Sequence, residues 1–325
     1  MRRALFILMT AISLSLMAAD FSVPFMNKAP AIDGRFDAGE WDFAFAFSGS
    51  TKNMDARRTT VWMGYDRDNI YMALQAETPP RGRMASASKW FNHHDSMELW
   101  FAPPKELRTI ESLKLGVFQT IVNFEEKSFS QHHNPGYGLS SCEWKHNATI
   151  KSTVADGMWT MEMAFPLKAM GVENSPEGDW RIMICRNHGA EPKRQVPMTD
   201  VASFEDPNSY SVFHFSKECL AVQQLYAKDA RLPLLFRVAN PGAKPATADI
   251  ALTLSEGKEL AVSKKLDVAP GKVAEHDFSQ ECAAEGGKCK ITIAANGWNR
   301  VVTWAPPQPP IWRNTESYQT LFCSF

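Results

Sequence analysis

The groups able to do chemistry in this chain are acids, histidines, cysteines and aromatics, and their spacing limits what each can do. Glu98 and Glu162 both stand in strand-like runs. Glycoside hydrolysis needs two carboxyl groups flanking a cleft, roughly 5–10 Å apart, so this is the pair a glycosidase would use. The pairs His93-His94 and His132-His133 invite a transition-metal reading. Neighbouring side chains on a strand point to opposite faces, so each pair offers at most one ligand, and surface loops are the expected place for them. None of the six cysteines has the Cys-x-x-Cys spacing of a zinc or redox motif. Cys282 and Cys289 bracket Gly286-Gly287 and are expected to clip that loop at its base, with the other pairings left open. Fifteen Met and eight His keep a haem-binding sandwich in play, although the absence of Cys-x-x-Cys-His excludes covalent haem.

The elements that must position these groups are strands. Val61, Met63 and Tyr65 alternate with Trp62 and Gly64, a polar turn follows at Asp66 to Asn69, and Ile70, Met72 and Leu74 alternate onward. Two alternating runs about a four-residue turn predict a β-hairpin. The same period places Met97, Leu99 and Phe101 on one face, with Ser96, Glu98 and Trp100 on the other. It sets Trp159, Met161, Met163 and Phe165 opposite Thr160, Glu162 and Ala164, before one helical turn at Pro166 to Met170. The fold class expected is all-β: an antiparallel β-sandwich over residues 20–216. A connector over 217–229 then leads to a smaller immunoglobulin-like sandwich over 230–305, with strands at Leu232 to Val238, Ala248 to Leu254, Leu260 to Val268, Val273 to Phe278 and Lys290 to Ala295. A Pro-rich tail occupies 306–325.

Composition narrows the function classes. A hydrophobic share of 44% and a charged share of 22% are those of a chain that buries a core. A net charge of −1 leaves no basic excess for phosphate contacts, so nucleic acid is excluded as a partner held that way. Ten Trp and twenty Phe supply the aromatic faces that sugar sites use, though most are expected to fill strand cores. Arg2 and Arg3, the apolar stretch Ala4 to Met17, and Ala18-Ala19 before Asp20 predict an export signal over 1–19, hence a secreted, periplasmic or cell-surface protein. Such compartments permit disulfides.

Four phrases carry a resemblance. They are Ala29 to Trp41 (APAIDGRFDAGEW), Val61 to Tyr71 (VWMGYDRDNIY), Asp95 to Phe101 (DSMELWF) and Trp159 to Pro166 (WTMEMAFP). In this order they resemble the family 9 carbohydrate-binding modules, sugar-binding β-sandwiches attached to xylanases and related secreted proteins. The resemblance implies a secreted, non-catalytic protein that binds plant-type or other polysaccharide or oligosaccharide in polysaccharide catabolism. A glycoside hydrolase catalytic domain would lie elsewhere on a longer chain or on a partner enzyme. In that family a sugar end lies between two tryptophans, with polar groups on its hydroxyls. Carried over by position, the site falls on Trp90, Glu98, Gln119, Asn187 and Tyr210. Glu98 matches the family glutamate and Asn187 an asparagine near the site. Gln119 stands where the family has arginine, Asn92 stands at the first tryptophan position with Trp90 just before it, and Tyr210 is the aromatic nearest the second. The family also binds calcium structurally, for which Asp33, Asp37, Asp66, Asp68 and Asp95 are the candidate oxygen ligands. The alternative class is a structural or adhesion sandwich without a small ligand.

Overall fold

The computed structural model describes residues 20–49, 57–79, 83–134, 141–189, 194–204, 206–228, 230, 232–256, 258–282, 289–295 and 298–304. The expected export signal at 1–19, the Pro-rich tail at 306–325 and the 283–288 loop of the Cys282–Cys289 clip lie outside the described residues, as does the side chain of Cys289. The first ten strands are β1 (Phe21–Pro24), β2 (Phe45–Ser48), β3 (Thr59–Tyr65), β4 (Asn69–Glu77), β5 (Ser96–Ala102), β6 (Val117–Asn123), β7 (Ser128–His133), β8 (Ser141–Glu143), β9 (Thr149–Ala155) and β10 (Met158–Pro166). The rest are β11 (Gly178–His188), β12 (Arg194–Pro197), β13 (Ser211–Ser216), β14 (Ala221–Leu225), β15 (Leu235–Ala239), β16 (Ala246–Glu256), β17 (Lys258–Val268), β18 (Val273–Asp277), β19 (Cys289–Ala295) and β20 (Trp298–Trp304).

They build three sheets. The first runs β1-β13-β11-β5-β6-β7-β8, with β12 on β11. The second runs β18-β15-β14-β2-β3-β4-β10-β9, and the third β17-β16-β19-β20. Pairing is antiparallel except for β1 with β13 and β14 with β2, which are parallel, so the first two sheets are mixed and the third is antiparallel throughout.

Alternation decides what lies between the first two sheets. Met97, Leu99 and Phe101 of β5 and Ile182 and Ile184 of β11 meet Met63, Met72, Met161, Met163 and Phe165 of the second sheet in one interior. Among the described residues Met63, Met72, Met97, Met161, Met163, Met170 and Met198, counted toward a haem reading, fill this core instead, as unbranched side chains do in irregular gaps. A charged pair is built into the same interior. Arg186 lies over the Trp159 ring at 4.5 Å and meets the Asp95 carboxylate at 3.3 Å.

The segment before β2 crosses the outer face of the second sheet. Trp41 and Phe36 pack there on Trp62, Tyr71 and Ala73. Glu162 explains why two of the four phrases belong together. Its Oε1 accepts from Trp41 Nε1 at 2.9 Å, and its Oε2 accepts from the backbone N–H of Asp33 and Gly34 at 3.1 and 3.0 Å. Gly34 takes φ +82, a left-handed value that favours glycine, and an added Cβ would crowd Ser152 N at 3.1 Å. Asp66 does a similar job in the β3–β4 turn, accepting from Asp68 N, Asn69 N and Tyr71 Oη.

The C-terminal part departs from the expected connector and separate sandwich. Ala221–Leu225 is strand β14, and β15 and β18 continue the second sheet from it. The third sheet packs against this extension, with Ile250 and Leu252 of β16 in the same cluster as Phe236 and Val238 of β15. The physical reason lies in two glutamines. Gln223 Nε2 donates to the carbonyls of Trp41 (2.6 Å) and Ala44 (2.9 Å), and Ser48 Oγ donates to Gln224 O (2.9 Å). Arg237 adds an ion pair to Asp42 at 3.0 Å.

Candidate functional site

Strands β5, β6 and β11 set the candidate residues on the outer face of the first sheet, because their neighbours in sequence point into the core. Glu98 is 2% exposed and sits at the centre. Its Oε1 accepts from Trp100 Nε1 at 2.8 Å and Gln119 Nε2 at 2.9 Å. Its Oε2 accepts from Asn187 Nδ2 and Gln195 Nε2, both at 3.3 Å. A carboxylate has about four lone-pair sites, so Glu98 is filled by protein donors.

What surrounds it follows from proton accounting. Gln119 uses its amino group on Glu98, so its Oε1 accepts from His133 Nε2 at 2.9 Å, which fixes that imidazole tautomer. His133 stacks on Trp100 with ring centroids 4.9 Å apart. Asn187 Nδ2 also reaches Ser96 Oγ (3.2 Å), and Ser96 Oγ donates to Phe91 O (3.0 Å). This chain of bonds ties Glu98 to the 3-10 turn Phe91–His93, whose preceding residue is Trp90. Gly189 permits that turn's close approach, since a Cβ there would stand 2.5 Å from His93 O.

Of the five carried-over residues, Glu98, Gln119 and Asn187 converge directly. Tyr210 is corrected from a stacking platform to a packed support. It is buried, its hydroxyl donates to Phe204 O, and its ring meets Trp100 edge-on at 6.4 Å. Trp90 stands apart from the Glu98 cluster but is 58% exposed, with Lys89 Nζ 5.2 Å from its ring centroid. Phe129 of β7 is 38% exposed and stacks with Phe91 at 6.2 Å, so aromatic surface rims the face on the Trp90 side. Sequence reasoning missed Trp100, His133 and Gln195. The alternation that puts Trp100 on the face of Glu98 was the available signal for it. Gln195 and His133 are brought in by strand pairing and had none.

The other chemical candidates resolve differently. Glu98 and Glu162 lie on the outer faces of opposite sheets, pointing away from each other across the core. Stacked sheets are about 10 Å apart, so the two carboxyls cannot flank one cleft, and the glycosidase pair is corrected. The histidines are not all surface loop residues. His132 on β7 is buried and stacks on Phe118 at 4.6 Å, while His133 takes the opposite face. His94 is also buried, between Ser88 O and Asn123 Nδ2.

The five aspartates do not fit one calcium ion. Asp33 Oδ1 caps Arg35 N, Asp66 closes the β3–β4 turn, and Asp95 lies buried between Arg186 and Arg57 at 3.3 and 3.7 Å. The Asp37 carbonyl accepts from Glu40 N at 3.2 Å, and the backbone N–H of Asp68 donates to Asp66 within the β3–β4 turn. Among the described residues no three His, Cys, Asp or Glu side chains gather as a metal site.

No protein-family model matches the sequence, and no curated protein matches it. Among solved structures, the chain is similar to a family 9 carbohydrate-binding module from Caldicellulosiruptor kristjanssonii in complex with glucose, at 12% identity and TM-score 0.46, covering 61% of this chain and 96% of that one. The cellotriose complex of the module from that organism gives 12% identity and TM-score 0.47, with 61% and 94% covered. A candidate carbohydrate-binding protein from Bacteroides uniformis gives 10% and 0.46, with 60% and 98% covered.

Proposed function

We propose that this chain is an exported, non-catalytic carbohydrate-binding protein whose oligosaccharide or polysaccharide ligand docks on the outer face of the first sheet. The observation that carries the reading is the filled Glu98 network beside exposed aromatics. Glu98 meets no ligand itself. It holds Gln195, Gln119 and, through Gln119, His133 in fixed orientation, while the Ser96 bond holds the turn that follows Trp90. Sugar rings offer apolar C–H faces and hydroxyls together, and a rigid aromatic rim beside oriented polar groups matches both. The placement of Glu98 and Glu162 on opposite outer faces supports binding over hydrolysis, with any catalytic activity supplied by another domain or a partner enzyme in polysaccharide breakdown. The test is a glycan-array screen of the purified protein, followed by calorimetric titration of the Trp90→Ala variant with the glycan found. Loss of affinity in a folded variant supports the reading. Parent affinity in that variant, or no glycan bound by the parent, overturns it.

A further inference from the structure

The outer face of the second sheet is only partly covered. The segment carrying Phe36 and Trp41 packs over Trp62, Tyr71 and Ala73, and among the described residues it does not reach Thr60 or Gln75 in the next row. Beside it lies a groove of about 370 Å³, floored by Thr60, Gln75 and Trp62 and walled by Met158, Leu225 and Tyr226. We propose that this groove is a second saccharide-binding site, on the face opposite to Glu98 and independent of that site.

The argument rests on which hydrogen-bonding capacity is left open on the floor. Ser48 Oγ donates its one proton to Gln224 O at 2.9 Å. The 2.7 Å contact between Ser48 Oγ and Thr60 Oγ1 must therefore use the proton of Thr60. Thr60 turns toward the groove as an acceptor only. Gln75 lies directly across from it in the β3–β4 register, half-buried, and among the described residues no hydrogen bond engages its amide. The floor thus offers one fixed acceptor beside a group that both donates and accepts. A hydroxyl donating to Thr60, with a neighbouring hydroxyl bonded to the Gln75 amide, satisfies both.

The walls suit the apolar faces of the same molecule. Trp62, Met158 and Leu225 supply hydrocarbon and ring surface, and Tyr226 is held by Arg58, whose guanidinium lies 5.8 Å from its ring centroid. Arg58 is itself paired with Glu77. That pairing offsets the Arg58 charge, and Lys228 lines the rim of the groove as an exposed ammonium able to donate to a hydroxyl. The acceptor-only Thr60 on the floor repels an anionic oxygen, so a hydroxyl-rich ligand fits the floor better than a phosphate or a carboxylate. The volume falls within the range of small-molecule sites, about 300–1,000 Å³.

The test is calorimetric titration with soluble gluco-, xylo- and manno-oligosaccharides of the parent and of Trp90→Ala, Gln75→Leu and Met158→Trp. Melting curves confirm that each variant is folded. Trp90→Ala is expected to keep one titratable saccharide site. Gln75→Leu weakens that site about tenfold, the loss of roughly one well-made hydrogen bond. Met158→Trp, which fills the groove from its wall, abolishes it. Parent-like titration by both Gln75→Leu and Met158→Trp overturns the proposal, as does a folded Trp90→Ala protein that binds no saccharide. If Trp90→Ala leaves every affinity unchanged while Gln75→Leu weakens one, this groove stands and the reading of the first face fails.

Discussion

Glu98→Gln tests the centre of the first face, because the structure specifies what the change must break. The carboxylate takes two donors on Oε1, at 2.8 and 2.9 Å, and two on Oε2, both at 3.3 Å. Glutamine keeps the shape but turns one of those oxygens into a donor. The Trp100 indole cannot reverse its polarity, so the new amide oxygen must face Trp100 and Gln119. The new amino group then confronts Asn187 and Gln195. Both can flip, but a flipped Asn187 surrenders its bond to Ser96 Oγ, which steadies the turn next to Trp90. Hydrogen bonds to a charged group are worth about 1.5–3 kcal/mol each. All four become neutral bonds, two of them only after an amide flips, and one further bond is lost, so the net cost is about 2 kcal/mol or more, at least roughly thirtyfold in the folding equilibrium. Glu98→Ala leaves four donors without their acceptor and should cost about 4 kcal/mol or more. Urea unfolding of both variants, with unchanged m, gives the numbers. A Glu98→Gln protein within about 0.5 kcal/mol of the parent would refute the four-bond arrangement, since that is the range of a surface change.

Three further outcomes follow from the same structure. Trp90→Ala should weaken glycan binding by about 2 kcal/mol, roughly thirtyfold, with little change in melting temperature because the ring is 58% exposed. Burial pushes the Glu162 carboxyl above its ordinary 4.5 even though Trp41, Asp33 and Gly34 donate to it. The folded state then holds that proton more tightly than the unfolded chain, so stability falls as pH rises from 4.5 through the raised folded value. Glu162→Gln should flatten that segment of the stability-against-pH curve, and identical slopes in parent and variant would count against it. Calorimetric unfolding should show one transition joining both ends of the chain, since β14, β15 and β18 belong to the second sheet. Two separated transitions, or a protease-resistant fragment ending near residue 219, would restore two independent units.

Much of the fold was legible because side-chain alternation is a local property. Met97, Leu99 and Phe101 point inward, as do Trp159, Met161, Met163 and Phe165, and the Asp66–Asn69 turn and the 3-10 turn Leu167–Met170 lie where the sequence placed them. Any chain with that period of two must present those faces. That Glu98, Gln119 and Asn187 are neighbours was within reach only through the resemblance, which carried the three positions over together.

Which strand pairs with which was decided only by tertiary structure. Nothing local in Ala221–Leu225 announces a parallel pairing with Phe45–Ser48, far earlier in the chain. Gln223 and Gln224 read as ordinary polar residues of a connector until their amides meet the carbonyls they cap. The same holds for the site. Sequence supplied a carboxylate at position 98, but whether it faces a ligand or is filled by the protein depends on Gln195 and Asn187 arriving from another strand pair. Hydrogen-bond satisfaction of a buried group is a property of everything folded around it, and no window of sequence contains that information.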